Sequence, residues 1–194
     1  MGRIKSIIAR GALCMAVLAG SASLASACGN ELIYFMLFRA YPEAGRAYDA
    51  DLEARRAGEL SAAVWSASLG QTYHEWSLMR ARKVLDRLAA RLHRATHAGG
   101  TDSTLSILLA DELYVAQLHP KSRDAAVKPF GAGHSKSDIS LYTTANALRA
   151  LVNGRMPWQE AVERDLVVLA GPVDQQETVN ALLSNVLSGS ALTN

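Results

Sequence analysis

The sequence predicts an α+β, helix-rich protein, with a helical N-terminal half followed by a small sheet with flanking helices. Up to the Gly99-Gly100 pair, apolar side chains recur at steps of three and four, which is typical of amphipathic helices. Beyond that pair, short runs of branched residues are separated by turn residues, which is typical of strands. The 194 residues are 49% hydrophobic and 20% charged, a composition that excludes a disordered chain and can supply a core.

Residues 1–27 are predicted to be a secretory signal, which is not part of the fold. A basic start precedes the apolar run 11–19, which is too short to span a bilayer, and small residues end the segment at Ala27. The basic residues are Arg3, Lys5 and Arg10. Removal of the signal takes away these three positive charges, so the formal net charge falls from +2 for the whole chain to −1 for residues 28–194. The sequence therefore predicts an exported protein.

Cys28 would be the first residue of the mature chain and its only thiol, because Cys14 lies in the signal. A cysteine in this place resembles the lipid-modified cysteine of bacterial lipoproteins. That family prefers leucine three residues earlier, where this chain has Ala25. Two locations stay open: lipid-anchored at the cell envelope through Cys28, or free in the periplasm.

The mature chain is predicted to divide into a helical region, residues 28–100, and a small α+β domain, residues 101–194. Four helices are expected in the first region. The earliest, over 30–41, is apolar on every side, so it is either a fully buried helix or a surface that docks on a membrane or a partner, and the sequence favours core. The other three are expected over 43–57, 59–69 and 72–98.

The helix predicted over 72–98 carries a basic stripe opposite its apolar seam. The stripe consists of Arg80, Lys83, Arg87, Arg91 and Arg94. Such a surface suits an envelope protein or an anionic membrane surface, while a solvated face paired with acidic residues is the simpler alternative. Nucleic acid is not expected as a partner, because the mature chain is exported and close to neutral.

The second region is predicted to contain strands over 104–118, 125–130, 138–143 and 166–169. Alternation of apolar and polar residues supports the third of these strands. Helices are expected at 145–152, capped by Thr144, at 158–164 after Pro157, and at 175–187.

Neither an enzyme motif nor a cofactor site is predicted. The glycine-rich stretch 131–137 lacks the glycine that a phosphate-binding loop has directly before its lysine. His93 and His97 are four residues apart on one helix and are weak candidates for metal ligands. Because two ligands do not make a site, no metal is predicted.

The segment from Asp138 to Gly171 resembles the C-terminal part of the sterol carrier protein type two family, and the similarity extends back to about residue 104. Matching features are a strand, a helix with Leu148 and Leu151, a glycine, a second helix after a proline, and a strand that ends in glycine. The chain departs from the family at Asp165, where a glycine usually precedes the last strand. Nothing in that family accounts for residues 30–98.

The resemblance implies an apolar tunnel between the sheet and the helices that holds lipid-like ligands. The residues expected beside such a ligand are Leu148, Leu151, Val152, Trp158, Leu182 and Val186. A filled core is the alternative for the same side chains. The first functional hypothesis is therefore an exported, non-enzymatic protein that binds an apolar small molecule. The second is a helical adaptor or assembly factor of the cell envelope that acts through protein contacts.

Overall fold

The computed structural model describes residues 32–60, 70–96, 104–119, 125–130 and 139–188. The chain forms two compact units, Met1–Tyr41 and Pro42–Asn194. In the first unit, residues 32–40 form helix α1, in which the rings of Tyr34 and Phe38 lie 5.8 Å apart. The prediction that this helix is core on every side is wrong for four exposed side chains: Leu32, Ile33, Phe35 and Met36.

The second unit begins with two helices, α2 (Pro42–Arg56) and α3 (Gly70–Thr96). Four strands follow: β1 (Leu105–Leu109), β2 (Tyr114–Leu118), β3 (Ala126–Pro129) and β4 (Ile139–Thr143). The last elements are α4 (Ala145–Val152), α5 (Trp158–Glu163), β5 (Val167–Ala170) and α6 (Val173–Leu187). This succession confirms the α+β class. The helix expected over 59–69 falls mostly on residues outside the described part of the chain.

The five strands form one mixed sheet in the order β3-β2-β1-β4-β5. The central pair, β1 and β4, is parallel, with Ile107 opposite Leu141, and the other pairs are antiparallel. Because parallel strands end at the same edge, the residues that follow β1 and β4 are neighbours. The amide of Ala110 donates to the carbonyl of Thr143 at 2.8 Å and extends the pairing beyond β1.

The two faces of the sheet carry different sets of side chains. Ile107, Leu141 and Leu169 face the large apolar cluster formed with α3, α4, α5 and α6. Their neighbours Leu108 and Tyr142 lie on the opposite face by alternation and do not belong to that cluster. Helix α2 packs across β4 and β5.

Strand β4 is buried along its whole length, although its alternating sequence predicted one polar face. Ser140 is 4% exposed and Thr143 is fully buried, because helices pack on both faces of the sheet at β4. The Thr143 hydroxyl donates to the carbonyl of Leu166 at 2.9 Å. A hydrogen bond of this kind offsets the cost of removing the hydroxyl from water.

Three local signals place α4 and the turns around it. The Thr144 hydroxyl accepts a hydrogen bond from the amide of Ala147 at 3.1 Å, as predicted for a helix cap. Gly154 follows the helix with a φ of 67°, which favours glycine. Asp165 also has a positive φ, 54°, so this position requires the left-handed conformation that a glycine supplies most easily. Aspartate tolerates that conformation better than most residues.

None of the helices in the described ranges is both long enough and apolar enough to cross a membrane.

Candidate functional site

The apolar layer between the sheet and helices α4, α5 and α6 contains the residues expected to contact a ligand. Helix α4 has eight residues, and its sequence places Leu148, Leu151 and Val152 on the side that meets the core. Leu148 and Leu151 have no exposed surface, and Val152 is 2% exposed. The helix therefore presents its whole apolar side to the cluster.

Trp158 begins α5 and is completely buried. Its indole N–H donates to the Oδ1 atom of Asn180 on α6 at 2.7 Å, so the one polar group of this ring has a partner. The same bond joins α5 to the terminal helix. This contact was not predicted, because 22 residues separate the tryptophan from the asparagine.

Helix α6 covers the layer with four buried side chains: Val179, Leu183, Val186 and Leu187. Leu182 is partly buried and packs against the same cluster. The structure thus brings all six predicted ligand residues together in or against one apolar cluster. Their role as ligand contacts stays a prediction, and the three residues without exposed surface would have to separate before a ligand could reach them.

The other predicted site residues are only partly placed by the structure. Cys28 and His97 lie outside the described residues. His93 lies in the last turn of α3. Within the described ranges, no three His, Cys, Asp or Glu side chains come together in a group that could hold a metal ion.

The basic stripe lies along α3. Arg80, Lys83, Arg87 and Arg94 are exposed, and Arg91 is half-buried. Burial and the repulsion of Arg94 and Arg87 lower the pKa of Arg91 from its usual value. Arg87 donates to Asn153 Oδ1 at 3.3 Å, which ties the stripe to the end of α4. The partner of this surface stays a prediction.

A buried polar cluster lies where β1 and β4 end, and sequence reasoning did not find it. Asp51 of α2 is completely buried, forms an ion pair with Arg55 one turn later, and accepts a hydrogen bond from the Thr144 hydroxyl at 2.8 Å. Burial raises the pKa of Asp51, while Thr144 and Arg55 act in the opposite direction. The cluster therefore holds α2 to the start of α4.

Asp111 completes this cluster from the turn that follows β1. Its Oδ1 atom accepts a hydrogen bond from the Ala145 amide, the first residue of α4, at 2.8 Å. Burial raises the pKa of Asp111 to about 7, with smaller contributions from the charges of Glu112 and Asp51. Burial also raises the pKa of Tyr48 on α2, with Asp111 among the charges that add to the shift.

One signal in the sequence could have indicated part of this cluster. Asp51 and Arg55 have the spacing of an ion pair on one helix. That spacing does not indicate that Asp51 is buried. No local pattern connects it with Thr144, which is 93 residues away.

Comparison with known proteins gives similarity at the level of structure. No protein-family model matches the sequence, and no curated protein matches it. The sterol carrier protein 2 like 2 structure from Aedes aegypti aligns at 15% identity and a TM-score of 0.41, covering 54% of this chain and 96% of that one. The ubiquinone synthesis protein UbiJ-SCP2 aligns at 16% identity and a TM-score of 0.36, covering 57% of this chain and 90% of that one.

The apo form of sterol carrier protein 2 from Yarrowia lipolytica aligns at 17% identity and a TM-score of 0.33, covering 64% of this chain and 97% of that one. All three structures are sterol carrier protein 2 domains, the group that residues 138–171 resemble.

Proposed function

We propose that this chain is an exported, non-enzymatic protein that binds the long acyl chain of a lipid-like ligand in the apolar layer beneath α6. One observation carries the proposal. Six residues selected from the sequence as ligand contacts converge on a single apolar cluster, and a terminal helix covers it. The buried side chains of α5 and α6 are all apolar or aromatic.

The ligand class follows from the polarity of this layer. A site without charged or strongly polar groups selects its ligand by apolar area and shape. A hydrocarbon chain fits such a site, because it leaves no polar group unsatisfied among the leucines. Binding of this kind requires no catalytic side chain, and we therefore propose a carrier or a lipid-binding module.

Entry of a ligand requires α6 to separate from the sheet, because Leu148, Leu151 and Trp158 have no exposed surface. Burying a large aliphatic side chain is worth about 1.5–3 kcal/mol, so exposing the four inward side chains of α6 costs about 6–12 kcal/mol. Each buried methylene contributes about 0.8 kcal/mol, and a chain of about 14 carbons contributes about 11 kcal/mol. A chain of about six carbons contributes about 5 kcal/mol and cannot hold the helix open.

The fluorescence of Trp158 provides the test. Replacing Trp65 and Trp76 by phenylalanine leaves Trp158 as the only indole of the chain. Titration with palmitate should then change its emission in a saturable way, and hexanoate should not. A flat palmitate titration, together with purified protein that carries no lipid in native mass spectrometry, would refute the proposal.

Two asparagines of α6 provide matched variants for this assay. Asn180→Leu removes the acceptor of the Trp158 indole and loosens the contact between α5 and α6. It should accelerate palmitate uptake in stopped-flow fluorescence. Asn185→Leu makes the same chemical change at an exposed position of the same helix and should leave the rate unchanged.

Export is the second part of the proposal, and it rests on the signal pattern of residues 1–27. Mass spectrometry of the protein purified from an expressing bacterium should show a chain that begins at Cys28. A diacylglycerol mass on Cys28 would identify the anchored form, and an unmodified cysteine the free periplasmic form. A full-length chain that retains Met1 would contradict export.

A further inference from the structure

A small polar cavity lies beside α4. Its volume is about 40 Å³, and polar side chains from α4 and the turn that follows it form most of its wall. They include Asn146, Arg149 and Arg155. Leu60 and Met156, both buried members of the core cluster, add apolar surface. None of the six residues proposed to contact the acyl chain lines this cavity, so the two sites are separate.

Asn146 is the unusual residue in the lining of this cavity. Asn146 is only 8% exposed, and its Nδ2 atom is buried without a hydrogen-bond partner in the described part of the chain. Arg149 Nη2 donates to its Oδ1 atom at 2.8 Å. Because a guanidinium can only donate, this bond fixes which end of the amide is the oxygen and leaves the N–H groups for another acceptor. A buried donor without a partner costs about 1–3 kcal/mol, so the site favours a ligand that accepts a hydrogen bond.

The charges around the cavity select an anion. Arg149 and Arg155 bring two positive charges, and the one acidic lining residue, Glu59, forms an ion pair with Arg164. The C-terminus of α4 repels an anion, because the helix dipole places about half a negative charge there. That partial charge is smaller than the two guanidinium charges, so the net field at the cavity is positive.

We propose that this cavity binds the carboxylate group of a small organic acid. A water molecule needs about 10–15 Å³ of such volume, so the cavity holds about three water-sized groups, the number of heavy atoms in a carboxylate. The planar fork of a guanidinium and the amide N–H of Asn146 both suit carboxylate oxygens. This proposal stands on the cavity alone and is independent of ligand binding in the apolar layer.

Acetate is the probe for this site. Titration of the isotopically labelled full chain with sodium acetate, at constant ionic strength, should shift the side-chain amide resonances of Asn146 in a saturable way. Asn146→Asp replaces the donor by a negative charge and should abolish the shift of the neighbouring Arg149 backbone amide. Arg155→Gln changes an exposed residue and should weaken acetate binding at least fivefold.

Arg82→Gln provides the matched control, because it removes the charge of an exposed arginine whose partner is Asp86 on α3. This variant should bind acetate as the wild type does. The proposal is overturned by non-saturable shifts, by equal weakening in Arg82→Gln and Arg155→Gln, or by phosphate binding more tightly than acetate. None of these results depends on palmitate, so the acetate experiment can refute the carboxylate site without refuting acyl-chain binding.

Discussion

Replacing Asp111 by asparagine should remove a pH dependence from the stability of the protein. The folded chain holds the pKa of this carboxyl at about 7, against an ordinary value of 3.8, mainly because the group is removed from water. The folded state therefore binds more protons than the unfolded state between these two values. The stabilising contribution is complete below the ordinary pKa and is lost as the pH rises through 7.

The size of this effect follows from the shift of the pKa. A difference of about three pH units corresponds to at most about 4 kcal/mol of unfolding free energy between acidic and mildly alkaline solution. The shift of Asp51 is also upward and acts in the same direction. Asparagine cannot ionise, but its side-chain oxygen can still accept the Ala145 amide. The margin by which Asp111→Asn is more stable than the wild type should therefore be larger at about pH 8 than at about pH 5.

Urea unfolding followed by circular dichroism at several values between about pH 5 and about pH 8 measures this difference. Asp49→Asn is the matched control, because it makes the same change at an exposed position of α2 and should keep the wild-type slope. The reasoning is refuted if wild-type stability rises with pH over this interval. It is refuted equally if Asp111→Asn has the same slope as the wild type.

Substitutions at two further positions test what holds α2 and β5 in place. Arg55→Met leaves Asp51 as a buried carboxyl without its ion-pair partner and should cost about 3–5 kcal/mol of unfolding free energy in urea. Asp165→Ala places a less tolerant residue at a φ of 54° and should cost about 1 kcal/mol, whereas Asp165→Gly should keep or raise the melting temperature. Equal destabilisation by alanine and glycine at Asp165 would contradict the backbone argument.

The order of the elements could be predicted because each one has a local signal. The Thr144 cap, the glycine at 154 and the proline at 157 mark the limits of α4 and the start of α5, and the structure places those limits within a residue or two. Asp165 differs from the family pattern in residue type but not in backbone conformation. Its positive φ is the conformation that a glycine adopts easily. At these positions the local sequence was sufficient to predict where the elements begin and end.

Burial and long-range contacts could not be predicted in the same way. The alternation in β4 indicated a polar face, but α2 packs on the sheet at β4 and β5, and the sequence of a strand does not specify which distant helix covers it. The cluster of Asp51, Asp111 and Thr144 joins a helix, a turn and a helix cap that are distant in sequence. The hydrogen bond from Ala145 to Asp111 alone spans 34 residues. The parallel pairing of β1 and β4 brings Asp111 and Thr144 to one edge of the sheet, and the packing of α2 brings Asp51 to them.

Helix α4 shows why the pH effect should be cooperative. Its eight residues are too few to form a stable helix alone, so it depends on the core contacts of Leu148 and Leu151 and on the bonds at its N-terminus. Neither leucine has exposed surface, and both belong to the same cluster as Trp158, so the helix cannot open at Asp111 while the core stays closed. Amide hydrogen exchange at Leu148 and Leu151 should therefore report the same free-energy difference between acidic and alkaline solution as urea unfolding does. A smaller difference at these amides would show that the start of α4 frays locally and that Asp111 acts only on that turn.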